Sequence, residues 1–254
     1  DFLENEYLCK CTDKIGLNSL IGGSTIYKGL LEEQTMKGYT PKEIHDLGEK
    51  EVTRLMNLIN AKKRKMKFKG SLQEFYKHTT DTFKDKKEII TYSKSLQKEI
   101  YKKIYPKYFN VTLLEKDLAD IKNVSDDKSR LYAFYIGTKK RGTFYVNGHK
   151  HDDLNKHELL TLTLHETVPG HHLQLMTHNR SKDLPLYIQS SHNTGYIEGW
   201  GLYCENFTEL HTDKEMVWKY IYELQRAIRL VIDTGIHAFN WSFDDCFTYM
   251  KKYL

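Results

Sequence analysis

Apolar residues recur at helical spacing along most of this chain, with one stretch in the middle where they crowd and alternate. The clearest helical run follows Thr40-Pro41-Lys42-Glu43. A threonine cap, a proline at the first helical position and an acid at N3 form a capping box, which satisfies N–H groups that open a helix. Behind it Ile44, Leu47, Val52, Leu55, Met56 and Ile59 fall near one face, predicting a helix to about Lys65 with that face in a core. Before it, residues 1–15 read as the end of a helix, Gly16, Gly22 and Gly23 as a loop, and Ser24 as the cap of a helix to Met36. After it, Ser71-Leu72-Gln73-Glu74 is a second capping box, and Lys86 to Ile104 reads as a helix stopped by Pro106.

The period changes over residues 107–150. Val111-Thr112-Leu113-Leu114, Leu131 to Ile136 and Thr143 to Asn147 read as strands, and Gly137 to Gly142 as a turn. This predicts a small antiparallel sheet. Helix returns at Asn155-Lys156-His157-Glu158, a further cap, and Leu159, Leu160, Leu162 and Leu164 lead to His165. Tyr196 to Leu210, Met216 to Ile236 and, capped by Ser242, Phe243 to Tyr249 complete the helices. The expected fold is mainly α (α+β), one domain over 1–254: a helical subregion (1–106), the small sheet (107–150), and helices around an imidazole-rich segment (151–254). No repeat, low-complexity segment or long linker interrupts it.

Composition narrows the class. With 39% hydrophobic and 29% charged residues, the chain suits a globular protein better than a disordered one. No run approaches the ~20 apolar residues of a membrane span. Asp1-Phe2-Leu3-Glu4-Asn5-Glu6 lacks the basic and apolar regions of a signal peptide. The net charge of +5 comes largely from lysine clusters such as Lys62-Lys63-Arg64-Lys65 and Lys84 to Lys87. These sit at predicted helix ends, where lysine complements the dipole, and read as solvated faces rather than a nucleic-acid surface. Four cysteines are too few for a disulfide scaffold. Cys9 and Cys11 do not have a standard zinc spacing, and Cys204 and Cys246 read as buried thiols. Cysteine usage leans toward a reduced, cytoplasmic compartment without fixing it.

The densest chemistry lies in Leu164-His165-Glu166-Thr167-Val168-Pro169-Gly170-His171-His172-Leu173-Gln174. Imidazole and carboxylate are rarely buried together without a partner, and a metal ion is the usual one. His165-Glu166 matches the first half of the H-E-x-x-H zinc helix, but the i+4 position is Pro169. On a straight helix His171 would lie about 240° around from His165, and His172 would share its face ~10 Å away. A break resolves this. Pro169 lacks an N–H and collides with the carbonyl of His165, and Gly170 can take a φ that other residues avoid. The chain can then swing an imidazole back. His171 is preferred because fewer residues are absorbed by the distortion; His172 stays the alternative, or a group that supports the ligands from behind or faces substrate. The third ligand should come from a later helix: Glu198, between apolar and glycine neighbours that let backbones approach, or second Glu205, at i+7. Two imidazoles and a carboxylate suit one Zn2+ with an open position, although manganese and cobalt are not excluded.

The segments His165 to Gln174 and Glu198-Gly199-Trp200-Gly201-Leu202-Tyr203 together resemble a large, mainly bacterial family defined as a domain of unknown function. Gly22 to Tyr27, Thr40 to Gly48 and Arg226 to His237 look like blocks of the same family, so the resemblance covers nearly the whole chain. That family looks like a distant relative of the gluzincin metallopeptidases, with carboxypeptidase Taq and angiotensin-converting enzyme as better-known cousins. The resemblance implies a zincin-like helical domain and hydrolysis of peptide bonds by zinc-activated water, with Glu166 as general base. His237 and Arg229, with Tyr196 as an alternative, are the implied donors to the developing oxyanion, and Asp233 would hold the tautomer of His237. Tyr145 and Asn147 belong to a strand that, in gluzincins, edges the cleft and pairs with substrate. Arg226 or Arg229 would hold a terminal carboxylate of a short peptide. Family members are usually longer, with a further helical half before these blocks, which implies a missing N-terminal half or a partner subunit. Two rivals remain: a zinc hydrolase of non-peptide amides or esters, and a non-catalytic metal-binding or partner-binding helical domain. Trp200, Tyr203, Trp218 and Trp241 read as core, and His149, His151 and His157 as a polar loop.

Overall fold

A computed structural model describes residues 1–110, 112–126, 131–138, 141–181, 183–190 and 193–254. Helices dominate: α1 (Gly23–Thr35), α2 (Pro41–Lys65), α3 (Leu72–His78), α4 (Lys86–Lys103), α5 (Tyr105–Tyr108), α6 (Lys156–Glu166), α7 (His171–Arg180), α8 (Leu186–Ser190), α9 (Thr194–Cys204), α10 (Asp213–Phe239) and α11 (Phe243–Lys251). Three strands, β1 (Asp120–Asn123), β2 (Ala133–Gly137) and β3 (Gly142–Val146), lie between α5 and α6. No helix among the described residues is long and apolar enough to cross a membrane. The capping boxes at Thr40 and Ser242 form as their sequences dictate, each hydroxyl accepting from the N3 backbone while the N3 acid returns the bond.

Local geometry departs from the sequence reading in four places. The first residues form a π-helical turn at Leu3–Tyr7 and a 3-10 turn at Leu8–Lys10, not the end of an α-helix. The cap of α1 is Gly22 rather than Ser24: its φ of 71° is left-handed, a conformation glycine adopts without steric penalty. The helix expected to stop before Pro106 does end there, at Lys103, but Pro106 itself sits in the first turn of a separate single turn, α5. Helix α9 stops at Cys204, so Glu205 is its C-cap residue rather than part of a helix to Leu210.

The chain divides into two compact units. One comprises Asp1–Gln73 with Tyr220–Leu254, the other Glu74–Lys219. In the first, Tyr27, Leu31 and Ile44 bury together with Leu17 and Ala238 packed against them. The Tyr27 hydroxyl donates to Asp233 at 2.6 Å, and the Leu17 N–H donates to His237 Nδ1 at 3.1 Å, closing α1 and its preceding loop onto α10.

The second unit is built around β3. It pairs antiparallel with β2 (Ala133 opposite Val146) and parallel with β1 (Asp120 opposite Thr143), in the order β1-β3-β2. The sheet is therefore mixed, not purely antiparallel, because the second strand of the hairpin inserts beside β1 and runs in its direction. The strand expected at Val111–Leu114 does not form over Thr112–Leu114, and Val111 lies outside the described residues, as do Lys139 and Lys140 of the expected turn. Leu113 instead fills a small core with Tyr105, Leu118, Val168 and Leu173. Phe144 and Val146 point inward, and with Ile121 they meet Ile89, Leu96 and Ile100 of α4 and Leu159, Leu160 and Leu164 of α6. Sheet, α4 and α6 thus share one apolar core, which fixes the end of α6 as a rigid platform.

Candidate metal centre

Helix α6 ends at Glu166, where Thr167 turns back to bond the Thr163 carbonyl through both its N–H and its hydroxyl. Val168 and Pro169 follow with a cis peptide between them, and α7 opens at His171. The break falls at the Pro-Gly pair, but not through an unusual φ at Gly170, whose φ is −70°. What Gly170 supplies is space: a Cβ there would stand 1.8 Å from the His165 carbonyl oxygen and 2.4 Å from that of Leu164. The tight return brings the rings of His165 and His171 to a centroid separation of 4.6 Å, with planes at 88°.

Helix α9 brings Glu198 to the same point. Its carboxylate lies 3.5 Å from His165 Nε2 and 3.7 Å from His171 Nε2. The three ligand atoms all fall within 4.8 Å of one another, the one such group found among the described residues. Ligands held ~2.0–2.1 Å from a tetrahedral zinc stand roughly 3.3 Å apart, so the group needs only a small contraction to grip one ion. Of the two glycines beside Glu198, only Gly201 serves the approach. A Cβ on it would meet the His165 ring at 2.5 to 2.8 Å, whereas one on Gly199 meets nothing within 4 Å.

Glu205, the sequence's second choice of ligand, sits behind His165. Its Oε1 is 2.8 Å from His165 Nδ1, and the side chain is 1% exposed. A carboxylate accepts, so Nδ1 carries a hydrogen, and Nε2 is the nitrogen left facing Glu198, its lone pair free for a metal when the proton there is displaced. Burial disfavours charge on His165, but hydrogen bonds with Glu198 and Glu205 and the negative charge of Glu166 outweigh it and push its pKa to about 9. Burial, and then the charge of His165, pull the pKa of His171 below its usual value. The pocket thus attracts one positive charge, which a proton or a cation can supply. Glu166 is buried beside this group, and its charge is felt by both His165 and Tyr135.

His172 points elsewhere. Its Nε2 donates to the Asp117 carbonyl at 2.7 Å, and its Nδ1 accepts from the Tyr135 hydroxyl at 2.9 Å. Both nitrogens are used, so His171 is the imidazole the fold returns to His165. Tyr135 reaches across Gly142, where a Cβ would fall 1.6 Å from its hydroxyl. His172→Ala is expected to leave metal binding intact and to cost about 1–3 kcal/mol of stability, since it strands a half-buried hydroxyl and a half-buried carbonyl. Metal analysis beside urea unfolding checks this; loss of metal without loss of stability would contradict it.

The sequence missed other supports. Trp200 Nε1 donates to the Pro169 carbonyl at 2.9 Å, pinning α9 to the turn between α6 and α7. Gln174 stands between His171 and the Tyr196 carbonyl. The spacing E-G-W-G has a physical reading: candidate ligand, open position, clamp, close approach.

The family described as bacterial protein of unknown function (DUF885) matches residues 1–254. The chain belongs to DUF885. Its fold is similar to that of a solved protein from Colwellia psychrerythraea, a candidate lipoprotein, with a TM-score of 0.88 at 24% identity. The likeness covers 97% of this chain and 45% of that one, so this DUF885 chain spans less than half of its length. No curated protein matches at a significant level.

The remaining sequence-predicted residues of this DUF885 chain contribute no atom to the three-ligand group. Tyr145 and Asn147 require correction. Tyr145 lies on β3 and Asn147 directly follows it; β3 is the middle strand, bonded on both sides, so it has no free edge on which a peptide could pair. Tyr145 stacks on Phe134, and Asn147 is fully buried, donating to the Leu131 carbonyl and capping the turn at Gly148. Tyr196 exposes its ring on α9. Asp233 and His237 belong to the first unit, where the Tyr27 hydroxyl and the Leu17 N–H engage them; their own separation is 3.9 Å. Arg226 lies over the Tyr222 ring and Arg229 is exposed, both in the first unit. His149 and His157 hold loops, bonding the Val124 carbonyl and Asp81, and His192 lies outside the described residues.

Proposed function

We propose that this DUF885 chain carries the centre of a zinc-dependent hydrolase that cleaves peptide bonds, in short peptides, in the manner of a carboxypeptidase or oligopeptidase. The observation that carries the reading is the convergence of His165 Nε2, His171 Nε2 and the Glu198 carboxylate at near-ligand spacing. Their two-nitrogen, one-oxygen donor set suits zinc and leaves a position free. Bound there, zinc would lower the pKa of water to ~7 and polarise a carbonyl. His165, His171 and Glu198 would hold the ion. Glu205 keeps His165 in the ligating tautomer. Glu166, next in sequence to His165 and outside the ligand group, takes the proton from the attacking water and passes it to the leaving amine.

Metal analysis tests the ligand set. The wild-type chain is expected to take one zinc, and His165→Ala, His171→Ala and Glu198→Ala each to lose it. Zinc retained in all three folded variants would end the reading. A panel of short peptides beside simple amides and esters separates peptide from non-peptide substrates. One observation favours a second reading, a metal-binding module that needs further chain for activity: the likeness covers only 45% of the solved relative.

A further inference from the structure

We propose that Gln174 is a positioning residue that sets the tautomer of His171, its own orientation being dictated by the backbone carbonyl of Tyr196. The proposal rests on reading His165, His171 and Glu198 as a metal site. The Tyr196 carbonyl offers only lone pairs, so the Gln174 atom facing it at 3.4 Å is the amide nitrogen. That settles which way the amide lies and turns its oxygen toward His171 Nδ1, 3.3 Å away. An amide oxygen can only accept, so Nδ1 must carry the ring hydrogen. Nε2 is then bare, and Nε2 is the atom that faces Glu198. A free imidazole in water favours the opposite tautomer, which would present a hydrogen to the ion instead of a lone pair.

Gln174 is placed for this task. It lies one turn after His171 on α7, its N–H bonds the Gly170 carbonyl at 3.0 Å, and its side chain is buried away from water that could substitute. The chemistry of an amide also matters. His165 is held by a carboxylate, and Glu166, Glu198 and Glu205 already load the pocket with negative charge. A neutral amide does the same orienting work on His171 without adding a further charge. The same bond ties down α9. Tyr196 lies two residues before Glu198 and Trp200 two after, and each is anchored to the α6–α7 hairpin, one through Gln174 and one through Pro169. The exposed carboxylate hangs between these anchors.

Two substitutions separate the parts. Gln174→Met keeps the shape and removes both bonds. Gln174→Glu still accepts from Nδ1–H but cannot donate to the Tyr196 carbonyl. In the metal-free protein, labelled with nitrogen-15 at histidine and studied by NMR at mildly alkaline pH, His171 is expected as the Nδ1–H tautomer in the wild type and in Gln174→Glu. It should shift toward Nε2–H in Gln174→Met. By chelator competition, Gln174→Met should bind zinc roughly 10- to 100-fold more weakly, with Gln174→Glu closer to wild type. An unchanged tautomer in folded Gln174→Met, or equal zinc loss in both variants, would overturn the proposal. A wild-type chain with the expected tautomer and no affinity for zinc would leave this assignment standing while the hydrolase reading fell.

Discussion

Glu166→Gln should keep one zinc per chain and lose peptide turnover by roughly 10²- to 10⁴-fold, the usual contribution of a positioned general base. Glutamine matches the side chain in shape and can still hydrogen-bond, but it cannot accept a proton from water. The ligand group does not include Glu166, so zinc should stay bound by His165, His171 and Glu198. The position also constrains where the base can act. Glu166 is the last residue of α6, buried, with its charge acting on His165 and on Tyr135. A residue that served only to balance charge in the pocket would lose zinc in proportion to activity when neutralised. Zinc content and turnover measured on the same preparation distinguish the two. Unchanged turnover in the variant would remove Glu166 from the chemistry, and a zinc-loaded wild type inert toward every peptide would favour the module reading.

The parts of this structure that could be read from the sequence are those governed by near neighbours. Thr40-Pro41-Lys42-Glu43 and Ser242 signal their helices because the capping bonds span three residues. The break at Pro169 is local for the same reason, since proline collides with a carbonyl four residues back. The grouping of His165, His171 and Glu198 was partly legible, because the break restricts which imidazole can return and an apolar glycine-flanked segment is a natural place for a buried approach. Long-range packing decided the rest. β1 has the sequence Asp-Ile-Lys-Asn, with a single apolar residue, so no alternation marks it. That β3 lies between two partners follows from where β1 docks, and this turned an expected substrate edge into an interior strand. Glu205 reaches Nδ1 of His165 while Glu198 faces Nε2, so two acids seven residues apart address opposite nitrogens of one ring, which their spacing alone does not reveal. His237 and Asp233 carry partners more than 200 positions distant in Leu17 and Tyr27. Gln174 drew no attention because an uncharged amide announces no chemistry until its neighbours are known.

Gly201→Ala and Gly199→Ala form a matched pair on one helix, with opposite expected outcomes. Both replacements raise helix propensity, by about 0.5–1 kcal/mol. At Gly199 nothing opposes that gain, because a Cβ there meets no atom within 4 Å. Stability should rise slightly and zinc binding stay as in the wild type. At Gly201 the new carbon would lie 2.5 Å from Cε1 and 2.6 Å from Nε2 of His165, well inside contact distance. The ring cannot easily yield, since Glu205 holds Nδ1 at 2.8 Å in a fully buried setting. Either α9 lifts away and carries Glu198 with it, or the imidazole turns and breaks its bond to Glu205. Both routes open the three-ligand group. Zinc affinity should fall by at least about 10- to 100-fold, as it does when an orienting partner of a ligand is lost. Overpacking should cost about 1–3 kcal/mol of stability. Chelator competition and urea unfolding on the two variants read both quantities. Gly201→Ala with wild-type zinc affinity would mean that α9 does not press against His165, and Glu198 would then have no claim to be the third ligand.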